Sequence, residues 1–98
     1  MTEERSDWGA LRERRMAEPG AAEAYEAARM AYELGRQVRQ LREQCGWSQT
    51  RLAREAGMTQ SAVARFEAGG TVPTIPVLGR LARALGAELD VTLKHSAA

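Results

Sequence analysis

Apolar positions in this chain recur at two different spacings, and the change of spacing divides it. After a polar stretch over residues 1–18, with Trp8, Leu11 and Met16 as scattered apolar points, Pro19-Gly20 interrupts the chain. Apolar residues then fall at Ala21, Ala24/Tyr25, Ala28, Ala31/Tyr32 and Gly35, three and four apart, which marks one helix face. Leu34, Val38, Leu41 and Cys45 continue it as a second stripe. The pattern predicts one long helix over about 21–45, with Gly35 as a point where it could bend.

Start and stop chemistry predicts three short helices beyond it. Gly46 closes the long helix, and the short hydroxyl of Ser48 can cap a helix over Gln49–Ala56. Gly57 stops that helix, Thr59 caps another over about Gln60–Ala68, and Gly69-Gly70 ends it. Thr74, between Pro73 and Pro76, can cap a helix over about Ile75–Leu85 before Gly86. Gly79 inside it is expected to be a close-packing point rather than a hinge. The period then changes: in AELDVTLK, Leu89, Val91 and Leu93 alternate with polar residues, a half-buried strand pattern. A lone strand must pair with another chain or fray.

Composition sets limits on the chemistry. With 28% charged and 44% apolar residues, the chain suits a packed domain rather than a disordered one. No apolar run approaches the roughly 18–20 residues of a membrane span, and the opening MTEERSDWGALRERR lacks the apolar run of a secretory leader, so a cytoplasmic protein is expected. The net charge of +1 hides an asymmetry: residues 1–34 carry five Arg against eight Asp and Glu, residues 35–98 nine Arg and Lys against five. Cys45 and His95 are each the sole residue of their type. Cys45 is expected as a small buried apolar residue near a helix end, His95 as a solvated tail residue, and the two make no metal site. Glu13 with Glu18, and Glu23 with Glu26, are expected to be helix-surface charges. No catalytic constellation or phosphate-cradling glycine loop is present, so neither enzymatic activity nor a cofactor is expected.

The densest pattern lies in QTRLAREAGMTQSAVARFEAG, Gln49 to Gly69. Two short helices that cross steeply need a small residue at the crossing, which Ala53 supplies. The turn between them needs positive φ, which Gly57 tolerates. Leu52, Ala56, Met58, Val63 and Phe66 are spaced to point inward. A helical hairpin without a nucleic-acid role would explain Ala53 and Gly57. It would not explain polar Gln49 and Gln60 at two helix starts, where amides can meet phosphates and base edges.

Residues 34–86 resemble the Cro/cI-type, XRE-family helix-turn-helix domain, through the pattern "WSQ…LA…G…QS.V.R.E.G…P…L.RLA.ALG". The resemblance implies an all-α, five-helix lambda-repressor-like DNA-binding domain, its first helix fused to the preceding one. It also implies a homodimer on a palindromic double-stranded DNA operator. On this chain Gln49 would brace a phosphate and Gln60 would read an adenine. Thr59, Ser61, Ala64 and Arg65 complete the candidate DNA contacts, with Arg65 reaching either a guanine or a phosphate. Arg42 and Glu67 correspond to the family's structural ion pair. Few long side chains line the recognition face, so specificity is expected to lean on dimer spacing and DNA shape.

The flanks, a 1–33 acidic helical extension and an 87–98 strand and tail, resemble those of HigA-type antitoxins of type II toxin–antitoxin systems. Here AAEAYEAARMAYELGRQVRQLRE and AELDVTLK carry the likeness. It implies an antitoxin and autorepressor that neutralises a small basic mRNA-cleaving RNase toxin. The arm would offer Trp8, Leu11, Met16, Tyr25, Met30 and Tyr32 to the toxin, although Tyr25 and Tyr32 could equally pack on the chain's own core. Leu89, Val91 and Leu93 would pair across a dimer or with the toxin. A stand-alone XRE-family regulator and a helical scaffold without operator binding are the alternatives.

Overall fold

The computed structural model describes residues 18–96. Four helices lie within them: α1 (Ala21–Gln44), α2 (Gln49–Ala56), α3 (Gln60–Glu67) and α4 (Ile75–Ala84). An eight-residue helix is too short to persist alone in water, so α2 and α3 depend on caps and packing. The Ser48 hydroxyl accepts from the Arg51 amide at 3.0 Å, and the Thr59 hydroxyl from the Ala62 amide at 3.1 Å. Thr74 caps α4 in the same way through the Val77 amide. Gly57 adopts φ 68°, where a Cβ would be strained, and turns the chain from α2 towards α3.

The three short helices and one face of α1 close around a single core. Leu52, Val63 and Leu81 are fully buried, and Val38, Phe66, Leu78 and Leu85 complete the cluster. Burying each such side chain contributes about 1.5–3 kcal/mol. Ala53 and Ala56 are buried where α2 meets its neighbours, and Met58 packs partly buried against the same cluster. α2 packs on both α3 and α4, while α1 packs on α3. The outer face of α1 carries the exposed pairs Glu26–Arg29, Glu33–Arg36 and Arg39–Glu43, one turn apart. Such pairs stabilise a helix by only a few tenths of a kcal/mol each.

Four expectations are corrected. The described residues hold neither a fifth helix nor the C-terminal β-strand: four helices are present, and residues 87–96 are neither helix nor strand. The fused first helix counts once, as α1. Beyond Gly86 the alternating sequence has no 3.6-residue stripe to bury and no second strand among the described residues to pair with. Leu89 is half-buried against the core, while Val91 and Leu93 stay exposed.

Cys45 is exposed rather than buried. It caps α1 where the helix has passed its neighbours, and the half-buried Trp47 covers the core instead. The close-packing glycine is Gly35 rather than Gly79. α1 continues through Gly35, which is buried because α3 comes so close that an added Cβ would meet the carbonyl oxygens of Phe66 and Glu67. Gly79, expected as the packing point, has nothing within 4 Å of where its Cβ would lie. No described helix is long and apolar enough to cross a membrane.

Candidate functional site

The close approach of α1 to the end of α3 brings Arg42 beside Glu67. Arg42 Nε donates to Glu67 Oε2 at 2.7 Å and its Nη2 to Oε1 at 2.9 Å, a fork-to-fork pair. The third arm, Nη1, donates to the Trp47 carbonyl at 2.8 Å and ties down the chain just before α2. The side chains are only 12% and 4% exposed, so water screens the pair weakly. The hydrogen bond to Glu67, opposed by desolvation, raises the Arg42 pKa above its ordinary value. With Glu67 the only buried charged residue of the described core, its satisfaction matters: losing one partner of such a pair costs about 3–5 kcal/mol.

Glu67 also reaches the surface. Its Oε1 accepts from Gln49 Nε2 at 3.1 Å, and Gln49 Oε1 accepts from Gln60 Nε2 at 2.9 Å. Gln49 is half-buried and Gln60 exposed, so the chain Arg42–Glu67–Gln49–Gln60 runs from the interior to the first residues of both short helices. The nearby helix-start amides of α2 and α3 are partly occupied by the Ser48 and Thr59 hydroxyls.

The other candidate residues distribute as follows. Ser61 and Arg65 are exposed on α3, and Ala64 is half-buried. Thr59 is exposed, with its hydroxyl engaged in capping. Tyr25, Met30 and Tyr32 are 46%, 54% and 61% exposed on α1. Trp8, Leu11 and Met16 lie outside the described residues.

Three features were not expected from the sequence. One is the Gln49–Glu67 bond, whose partners stand 18 residues apart. Another is the Arg51 guanidinium stacked 4.7 Å from the Trp47 ring centroid while it also pairs with Glu55 at 3.2 Å. The third is an apolar groove of about 420 Å³ between α1, α4 and the C-terminal segment, walled by Met30, Leu34, Ile75, Leu89 and Val91 among others. Spacing within one helix hinted at the Arg51–Glu55 pair, but no local signal announces the other contacts. No group of side chains suited to a metal ion occurs among the described residues.

A family model described as a helix-turn-helix domain matches residues 33–94 of the chain. No curated protein and no solved structure matches it.

Proposed function

The chain belongs to the helix-turn-helix domain family, and from that premise we propose that it is a sequence-specific DNA-binding transcriptional regulator. The observation that carries the reading is the Gln49–Gln60 amide pair, held at the starts of two capped helices by a buried ion pair. In this reading α3 enters the major groove and Gln60 meets an adenine edge. Gln49 and the start of α2 lie along the phosphates, with Thr59, Ser61, Ala64 and Arg65 completing the contact. Arg65 has no carboxylate partner among the described salt bridges, which suits a cation facing DNA.

The regulator acts as a homodimer on a two-fold-symmetric operator. Its recognition helices sit about 34 Å apart in successive grooves, and Leu89, Val91 and Leu93 contribute the contact between subunits. Binding to a pool of randomised duplexes at moderate salt tests the reading. Enrichment of one sequence is expected, with Gln60→Ala losing that preference while retaining salt-dependent non-specific affinity. Binding without any sequence preference would refute it. Deleting residues 87–98 should shift the protein from dimer to monomer in light scattering, and an unchanged dimer would remove the C-terminal residues from the interface.

A finer reading is that this regulator is an antitoxin that represses its own transcription and neutralises a small basic mRNA-cleaving toxin. What favours it is the exposed Tyr25, Met30 and Tyr32 on a stretch of α1 that also carries Glu23, Glu26 and Glu33. Exposed aromatic and methionine side chains suit a protein partner, and Glu26 and Glu33, paired here with Arg29 and Arg36, would exchange those partners for the cations of a basic one. Expression of the neighbouring reading frame alone should arrest growth, and co-expression with this chain should relieve the arrest. If Tyr25, Met30 and Tyr32 can all be replaced by alanine without loss of rescue, the α1 surface is not the toxin site. Without a toxic neighbour, the chain is a stand-alone regulator.

A further inference from the structure

The hydrogen-bonding capacities of Arg42 and Glu67 impose a direction on the amides beyond them. Arg42 has only donors, and ionised Glu67 has only acceptors. Both Glu67 oxygens accept from Arg42, and Oε1 accepts in addition from Gln49. Gln49 must therefore turn its NH2 inward, since its own oxygen would otherwise face a carboxylate. The Gln49 oxygen is left pointing towards α3, where it accepts from Gln60 Nε2. That bond uses one N–H of Gln60, leaving its oxygen and a single N–H for an outside partner.

We propose that Glu67 is a specificity-determining positioning residue: its acceptor-only carboxylate sets the polarity of the Gln49–Gln60 amide pair and so selects adenine over guanine at the base facing Gln60. The inference rests on the reading that Gln60 contacts a base edge. In the major groove adenine offers an acceptor at N7 and a donor at N6, which complements one free N–H beside one oxygen. Guanine offers two acceptors, N7 and O6, and would set O6 against the Gln60 oxygen. The ion pair thus has an informational role besides a structural one. It decides which way round two amides stand, one bonded directly to its carboxylate at 3.1 Å and the next one hydrogen bond further out.

Glu67→Gln reverses the logic with a single O-to-NH2 exchange. Arg42 Nε keeps the oxygen of the new amide at the Oε2 position, while the NH2 takes the Oε1 position facing Gln49, at the cost of the Arg42 Nη2 bond. Gln49 flips to accept from it and donates to the Gln60 oxygen. Both N–H groups of Gln60 are then free, a pair of donors suited to guanine. Gln49→Met, by contrast, cuts the link and leaves the Arg42–Glu67 pair in place.

The test uses the full chain and a duplex selected from a randomised pool by the wild type. Gln60→Ala locates the base that Gln60 reads, and that adenine is then exchanged for guanine. The wild type should prefer adenine by roughly tenfold or more, within the range of a bidentate base contact. Gln49→Met should bring the two bases to within about threefold of each other, and Glu67→Gln should favour guanine. Circular dichroism melts establish which variants are folded.

A purely structural Glu67 would lower stability and weaken binding to both duplexes alike. An unchanged adenine preference in folded Glu67→Gln therefore overturns the proposal. If that variant does not fold, an unchanged preference in Gln49→Met overturns it instead. If Gln60→Ala alters no base preference, the underlying base-contact reading fails, an outcome distinct from failure of the relay.

Discussion

Replacing Gly35 with alanine should destabilise the protein even though alanine is the better helix former. An ideal Cβ at Gly35 would lie 2.9 Å from the Glu67 carbonyl oxygen, 3.1 Å from its carbonyl carbon and closer still to the Phe66 oxygen. All three are backbone atoms at the end of α3, so no side-chain rotation relieves the clash and the helices must separate. Overpacking of this kind costs about 1–3 kcal/mol, and contact with unyielding backbone belongs at the upper end. Relief of the glycine penalty in a helix returns about 1 kcal/mol.

The net loss is therefore about 2 kcal/mol, or roughly 8–16 °C in Tm for a domain of this size. Gly79→Ala is the matched control. It too lies inside a helix, but nothing is within 4 Å of its Cβ position, so up to about 1 kcal/mol of stability should be gained. Urea titration and thermal melting of both variants give the comparison. If Gly35→Ala is as stable as the wild type, or if both substitutions move stability in the same direction, the close-approach argument is wrong.

Leu52→Ala, at a fully buried position where α2 meets the core, should cost about 2–5 kcal/mol in urea titration. Ser48→Ala removes the hydroxyl that caps α2 and should cost about 1 kcal/mol by the same measurement. Acid should weaken α1 through Glu33, whose carboxyl is held below its usual 4.5 chiefly by the hydrogen bond from Arg36. A lowered folded-state pKa means the contribution is complete above 4.5 and is lost as pH falls through the lower value. The Arg42 pKa is raised above its already strongly basic ordinary value, so melts between roughly pH 5 and 10 should not vary through either group. Addition of 1 M salt should remove the exposed Glu33 contribution while sparing the buried Arg42–Glu67 pair (roughly 3 Å screening length).

What the sequence by itself determined is local. Ser48, Thr59 and Thr74 cap helices because a short hydroxyl reaches an amide three residues on, whatever the rest of the chain does. The bounds of α2 and the turn at Gly57 follow from such signals, and the inward face of Leu52, Val63 and Phe66 follows from helical periodicity. The pattern around Gln49 and Gln60 was legible for the same reason, since both stand at helix starts defined within a few residues.

Tertiary structure alone decided the rest. Gly35 and Gly79 are alike in sequence, both glycines among helix formers, and only the position of α3 against α1 makes one indispensable and the other free. Alternation over Leu89–Leu93 states a preference for a strand, but a strand exists only with a partner, and the described chain supplies none. Cys45 continued an apolar stripe that α1 outruns. The relay from Arg42 to Gln60 joins residues from three helices, and its direction depends on which oxygen meets which nitrogen at about 3 Å. Helical periodicity specifies which face is apolar and where a helix ends. It carries no information about which distant atoms that face will meet, and at this site those meetings set both the close packing and the orientation of the amides.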